Sequence, residues 1–203
     1  MKRIFTVLAL TLCFSMVSQA KLVLSSLCGD SMVLQQNTEA KIWGTASANA
    51  QITVTPSWNG KAYKAKADSQ GNWEVMVQTP KGSYKAYAIA VKGDGSSLQI
   101  KDVLIGEVWL ASGQSNMEMP MRGFFNCPVE DAQEYICAPA AKDKIRMFTV
   151  PIKQSYEPLT QVDSKWEGAE PATIPGMSAT AFFFAHKLNE MLDVPVGIVS
   201  CAY

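Results

Sequence analysis

The segment Gly106-Glu107-Val108-Trp109-Leu110-Ala111-Ser112-Gly113-Gln114-Ser115-Asn116-Met117-Glu118-Met119 carries the clearest chemical signal in the sequence. Its apolar run, Val108 to Ala111, reads as a strand covered on both faces that delivers straight into a Gly-Gln-Ser-Asn turn. Open α/β sheets place their ligands beyond the carboxyl ends of such strands, so Ser115 stands where a nucleophile would. Gly113 lets the backbone turn tightly and approach a substrate. The Ser115 amide N–H is placed to help hold the oxyanion that forms when the Ser115 hydroxyl attacks a carbonyl. Gln114 and Asn116 flank the hydroxyl, and two roles are open to them: contact with loop or substrate, or ordinary turn and capping hydrogen bonds. Taken alone the turn is weak evidence, because Gly, Ser and Asn populate turns for conformational reasons. A serine hydroxyl also needs a base to take its proton. The sequence holds a single histidine, His186, which also excludes a Cys/His zinc cluster; neither metal nor cofactor is expected.

Two different rhythms flank this segment. From Leu22 to about Lys101 short apolar and polar steps alternate between turn signals at Asn59-Gly60, Gly71-Asn72, Lys81-Gly82 and Gly93-Asp94-Gly95. Signals spaced about 8–12 residues apart are those of an antiparallel β-sandwich. Strands are expected at Ala40–Trp43, Gln51–Pro56, Ala62–Ala67, Trp73–Gln78, Tyr84–Val91 and Leu98–Ile100, each with one buried face. After Lys101 the runs become continuously apolar, at Val103–Ile105, Val108–Ala111 and Ile145–Val150, and a loop is expected from there to Gly176. Ala181, Phe184, Ala185, Leu188, Met191 and Leu192 then recur at helical spacing. They predict an amphipathic helix from Ser178, near its N-cap, to Leu192. A strand over Val194–Val199 follows, and the strand, helix, strand succession argues for an α/β sheet. Trp43, Trp73 and Trp109 sit in strand patterns and are expected to pack in the core, and Met117, Met119 and Met121 to fill gaps near the turn.

The bulk numbers narrow the partners. Of 203 residues, 18 are basic and 18 acidic, so nothing draws the chain electrostatically to nucleic acid or an anionic membrane. Residues 1–20 combine Lys2 and Arg3, an apolar run from Ile4 to about Met16, and small residues at Ser18 and Ala20. That is an export signal with cleavage expected after Ala20, and its apolar run falls short of the roughly 20 residues a spanning helix needs. A periplasmic or extracellular protein without a membrane span is expected. Cys28, Cys127, Cys137 and Cys201 would then meet oxidising conditions, where spacing alone leaves a Cys127–Cys137 bridge open.

The sequence resembles the sialate O-acetylesterase family of carbohydrate esterases, within the SGNH hydrolase superfamily. The likeness runs in order along nearly the whole mature chain. It includes Asp30-Ser31-Met32-Val33-Leu34-Gln35-Gln36, Ile42-Trp43-Gly44, Asp68-Ser69-Gln70-Gly71-Asn72-Trp73, the stretch Ile100 to Trp109, the Gly113 to Glu118 core, Ile145-Arg146-Met147-Phe148, Ala181–Ala185, and Val194-Pro195-Val196-Gly197-Ile198. The resemblance implies a β-sandwich over 21–102 followed by an incomplete α/β domain of SGNH, flavodoxin-like three-layer type over 103–203. It implies Ser115 as the serine that takes an acetyl group from an O-acetylated sialic acid or related sugar, with Gly113, Gln114 and Asn116 supporting the loop and oxyanion. Acetylated hemicellulose is a second substrate class that the superfamily allows.

The superfamily also draws on a downstream glycine and asparagine for its oxyanion hole, and on a histidine three residues after an aspartate. None of these is found in the 203 residues. His186 has Phe183 three residues before it, and at 100° per residue it lies about 140° round the helix from Ala181, on the face of Lys187, Asn189 and Glu190. The chain is therefore expected to be the front part of an esterase, nearly inactive by itself. The competing expectation is a non-catalytic secreted module that binds sugars or proteins through its sandwich.

Overall fold

The computed structural model describes residues 21–138, 141 and 144–203; the expected signal peptide lies outside the described residues. Eleven strands and three α-helices follow one another along them. They are β1 (Val23–Leu24), β2 (Val33–Gln35), β3 (Glu39–Thr45), β4 (Gln51–Pro56), β5 (Tyr63–Lys66), β6 (Asn72–Gln78), β7 (Ser83–Gly93), β8 (Ser96–Gly113), α1 (Ser115–Glu118), α2 (Ala132–Ile136), β9 (Ile145–Thr149), β10 (Trp166–Gly168), α3 (Ala179–Leu192) and β11 (Val196–Ala202).

Period-two sequence builds the first half. In β6 Trp73, Val75 and Val77 turn inward while Asn72, Glu74, Met76 and Gln78 face outward. The antiparallel register sets Gly44, Ile42 and Ala40 of β3 opposite those three, so the smallest residue faces the largest. β1, β3 and β6 form a three-stranded sheet. Its inner residues share one core with Ile52 and Val54 of β4, Ile89 and Val91 of β7, and Ile100, Val103 and Ile105 of β8. Each such side chain contributes about 1.5–3 kcal/mol on burial. The β7–β8 turn places Asp94 at φ 52° and Gly95 at φ 67°, the left-handed pair that a two-residue hairpin requires.

The second sheet has eight strands and is continuous. Its order is β10-β9-β11-β8-β7-β4-β5, with β2 also paired to β8. β8 belongs to both halves of the molecule. Its first part pairs antiparallel with β7, and its last seven residues pair parallel with β11, which in turn pairs parallel with β9. The strand changes direction at a bulge between the pairs Ile89↔Ile100 and Tyr87↔Val103, where Asp102 takes a left-handed φ of 55°. Arg146 of β9, only 2% exposed, fixes that bulge. Its Nη1 donates to the carbonyls of Asp102 and Ser31, and its Nη2 to Asp102 Oδ1 at 3.0 Å. A buried guanidinium is tolerated because its donors are matched in this way. Gly106, four residues on, lets the loop before β11 lie against β8, since a Cβ there would sit 1.9 Å from the Pro195 carbonyl oxygen.

Most of the expected elements form, and three expectations change. The stretch read as loop to Gly176 contains β10, which pairs antiparallel with β9, and a 3-10 turn at Ile174–Gly176. α3 buries Ala181, Phe182, Ala185 and Asn189, whereas Phe184, Met191 and Leu192 are exposed. With Phe182, Phe183 and Phe184 in succession the apolar surface wraps around the helix, so packing onto β9 and β11 selects the face. Asn189 joins that face because its Nδ2 donates to the Val194 carbonyl at 2.7 Å and to the Tyr84 hydroxyl at 2.9 Å. Trp109 and Leu110, expected under cover, are 45% and 70% exposed because, among the described residues, the upper part of β8 pairs on one side only. Cys127 and Cys137 are both free thiols; Cys28 is free too, and burial pushes it up to about 12.

Candidate active site

The parallel register brings the carboxyl ends of β8 and β11 together, Gly113 opposite Ala202. The chain leaves β8 through Gln114 into the single turn of α1, whose first residue is Ser115. The Gln114 carbonyl accepts from the N–H groups of Met117 at 2.8 Å and Glu118 at 2.9 Å, while the Gln114 side chain makes no capping bond. The first amides of a helix have no partner within it, so the N–H groups of Ser115 and Asn116 are left to point out of the turn. Gln114, Ser115 and Asn116 are all exposed. Gly113 sits at a tight approach: a Cβ at that position would meet the Met117 Cβ at 3.2 Å, so Met117 would have to give by a few tenths of an ångström. The four residues singled out from the sequence thus form one open turn at the rim of the parallel strands, and Met121 fills the core beneath it, with Met117 packed at its edge.

The turn is clamped from the far side of the sequence. Ser178, the N-cap of α3, accepts from Ala181 N–H at 3.3 Å and donates its hydroxyl to the Met117 carbonyl at 2.5 Å. Thr180 Oγ1 donates to the Asn116 carbonyl at 2.9 Å, and Ala179 N–H to the Met119 carbonyl at 2.8 Å. The sequence pattern identified Ser178 as a cap but not as a clamp, and Thr180 escaped notice. A hydroxyl at a helix start signals capping locally, and nothing in its spacing discloses a second partner about 60 positions away.

His186 is not brought to Ser115. It lies six residues beyond Thr180, about 9 Å of helix rise down α3. There it packs edge-on against Tyr135 at 5.0 Å and faces Glu190 with Nδ1 3.6 Å from Oε1. It is half-buried by these rings, more covered than a plain surface position on α3 would be. Lys187 holds the Glu190 carboxyl below its ordinary range, chiefly by a hydrogen bond. No group of three or more His, Cys, Asp or Glu side chains suited to a metal occurs among the described residues. No helix among them is long and apolar enough to cross a membrane.

No family model matches the chain. The mouse sialate O-acetylesterase is 32% identical over 188 residues, which are 85% of this chain and 34% of the mouse protein. This chain is a relative of the sialate O-acetylesterases. The human sialate O-acetylesterase is 30% identical over 195 residues, covering 88% of this chain and 36% of the human one. The chain thus spans about a third of the length of the curated relatives it matches. A solved carbohydrate acetylesterase from Xanthomonas citri superimposes at a TM-score of 0.79 with 35% identity, over 89% of this chain and 40% of that one. The sheet-rich fold with few helices is therefore shared with an acetylesterase across most of the described residues.

Proposed function

We propose that this chain carries the nucleophile of an exported carbohydrate O-acetylesterase, with Ser115 attacking the acetyl ester of a sialic acid or a related sugar. The observation that carries the reading is the position of Ser115: an exposed hydroxyl on the first residue of α1, at the carboxyl end of parallel strands, in a chain related to sialate O-acetylesterases. Ser115 Oγ would add to the acetyl carbonyl, its proton passing to a base. The oxyanion would sit against the outward N–H groups of Ser115 and Asn116, and would collapse as the sugar alkoxide leaves with a proton. Water would then hydrolyse the acetyl-serine by the same route. A β-sandwich supporting an SGNH-type α/β layer is the architecture that goes with this chemistry.

The base is not His186, which is engaged with Tyr135 and Glu190. In this reading the base and the remainder of the oxyanion hole would come from the part of the relatives' length that this chain does not span. The test is acetate release from a chromogenic acetyl ester and from O-acetylated sialic acid. In the full-length protein, Ser115→Ala should lower kcat/KM by on the order of 10⁴-fold or more with the fold intact. The 203-residue chain alone should show trace turnover. Equal rates for wild type and Ser115→Ala would remove Ser115 from the mechanism.

A further inference from the structure

Between the β3–β6 pair and the segment 159–162 lies a cleft of about 660 Å³, within the size range of small-ligand sites. None of its lining residues belongs to the turn that bears Ser115. The cleft is held open by hydrogen bonds rather than by loose loops. Ser26 donates from both N–H and Oγ to Gln161 Oε1, at 2.9 and 2.6 Å, and Gln161 Nε2 donates to the Leu24 carbonyl at 3.0 Å. Its walls combine a half-buried indole, Trp43, with Leu159 and Val150, and a polar group of Lys66, Asp68, Asn72 and Glu74. Trp43 stands directly across the ladder from Glu74. A flat aromatic face beside carboxylate, amide and ammonium groups suits a ring with an aliphatic face and a hydroxyl-bearing edge.

Charge then selects the ligand. Asp68 is held below its ordinary carboxylate range, first of all by the Asn72 N–H, so it stays anionic; Glu74 adds a second carboxylate, paired at 2.6 Å with Lys41. With Lys66 lining the same wall as Asp68, and Lys41 on Glu74, the polar wall carries no net charge, which suits an uncharged sugar whose hydroxyls meet carboxylate and amide groups.

We infer that this cleft is a binding site for a neutral pyranose unit, separate from the esterase turn, with Trp43 as the stacking platform and Asp68, Asn72 and Glu74 as hydroxyl partners. It does not depend on the esterase reading, since Ser115 takes no part in it. The test is an NMR titration of the full-length protein, following the indole N–H signals, with methyl β-D-xylopyranoside, methyl β-D-glucopyranoside and N-acetylneuraminic acid as probes. Saturable shifts of the Trp43 signal with one or both neutral pyranosides, absent with N-acetylneuraminic acid, are expected. Affinity should fall about tenfold or more in Trp43→Ala and persist in Ser115→Ala. Glu74→Gln, at an exposed position, serves as a second variant that keeps the fold and should weaken binding severalfold. No saturable shift up to about 100 mM would overturn the inference. So would shifts confined to Trp109 near the Ser115 turn, or unchanged affinity in both cleft variants. Absence of acetate release from the wild-type protein with intact cleft binding would sink the esterase reading alone.

Discussion

The two ends of β8 are one strand in two environments. Val103, Leu104, Ile105 and Gly106 are buried, with β7 and β2 on either side. Beyond Glu107 the strand keeps only β11 as a paired neighbour among the described residues, and exposes Trp109 and Leu110. Val108 N–H still finds an acceptor in Gln35 Oε1 at 2.8 Å, which ends the enclosure of that edge. The contrast separates two environments within one element: the enclosed end anchors the strand to the core, and the open end leads to Ser115, exposed to solvent. Rigidity is supplied from below, access from above.

The comparison can be sharpened by placing equivalent truncations at the two ends. Ile105→Ala should cost about 2–5 kcal/mol in urea unfolding, because it leaves a cavity in the core. Leu110→Ala, five residues on, should cost less than about 0.5 kcal/mol. Similar costs at both positions would mean that the upper edge is covered in solution. A smaller effect is expected at the clamp that joins α3 to the turn. Ser178→Ala removes a helix cap and the bond to the Met117 carbonyl, so stability should fall by about 1 kcal/mol. Acetate release by the full-length protein should fall severalfold through kcat with KM little changed, and a loss of stability alone would reduce Ser178 to a cap. The smallest effect is a pH dependence at the cleft end of the core. Asp68 accepts from the N–H groups of Gln70 and Asn72, which lowers its folded pKa. A depressed carboxylate stabilises fully above the unfolded value and loses that contribution as pH falls through the folded one. The Tm advantage of wild type over Asp68→Asn should therefore be constant above about pH 5 and shrink towards pH 3. A difference that stays level across that window would assign the hydrogen bonds no role in acid stability.

How much of this could be read from the residues depends on how local the cause is. Gln51–Pro56 declares a strand by strict alternation, Asp94-Gly95 declares a hairpin by its need for positive φ, and Ser178 declares a helix start. The Gly113 to Asn116 turn is legible for the same reason, since the strand and its turn are contiguous. Three other features depend on distant partners. The exposure of Trp109 follows from which strands lie beside β8, and an apolar run looks alike at a sheet centre and at its edge. The buried face of α3 could not be chosen from a triplet of phenylalanines. The cleft gathers Ser26, Trp43, Asp68 and Gln161 from positions as far as 135 apart, Ser26 and Gln161 being joined by hydrogen bonds. No window of sequence contains it.

The bulge at Asp102, gripped by Arg146, gives β8 a consequence for how the molecule comes apart. Because one unbroken strand runs through both halves and its bend is stapled from β9, neither half can melt without pulling a rung from the other. Heat or denaturant should therefore act on a single cooperative unit, seen as coincident near- and far-ultraviolet transitions. The angle between cleft and Ser115 turn is then built in as the chain folds, with no swivel left to adjust it.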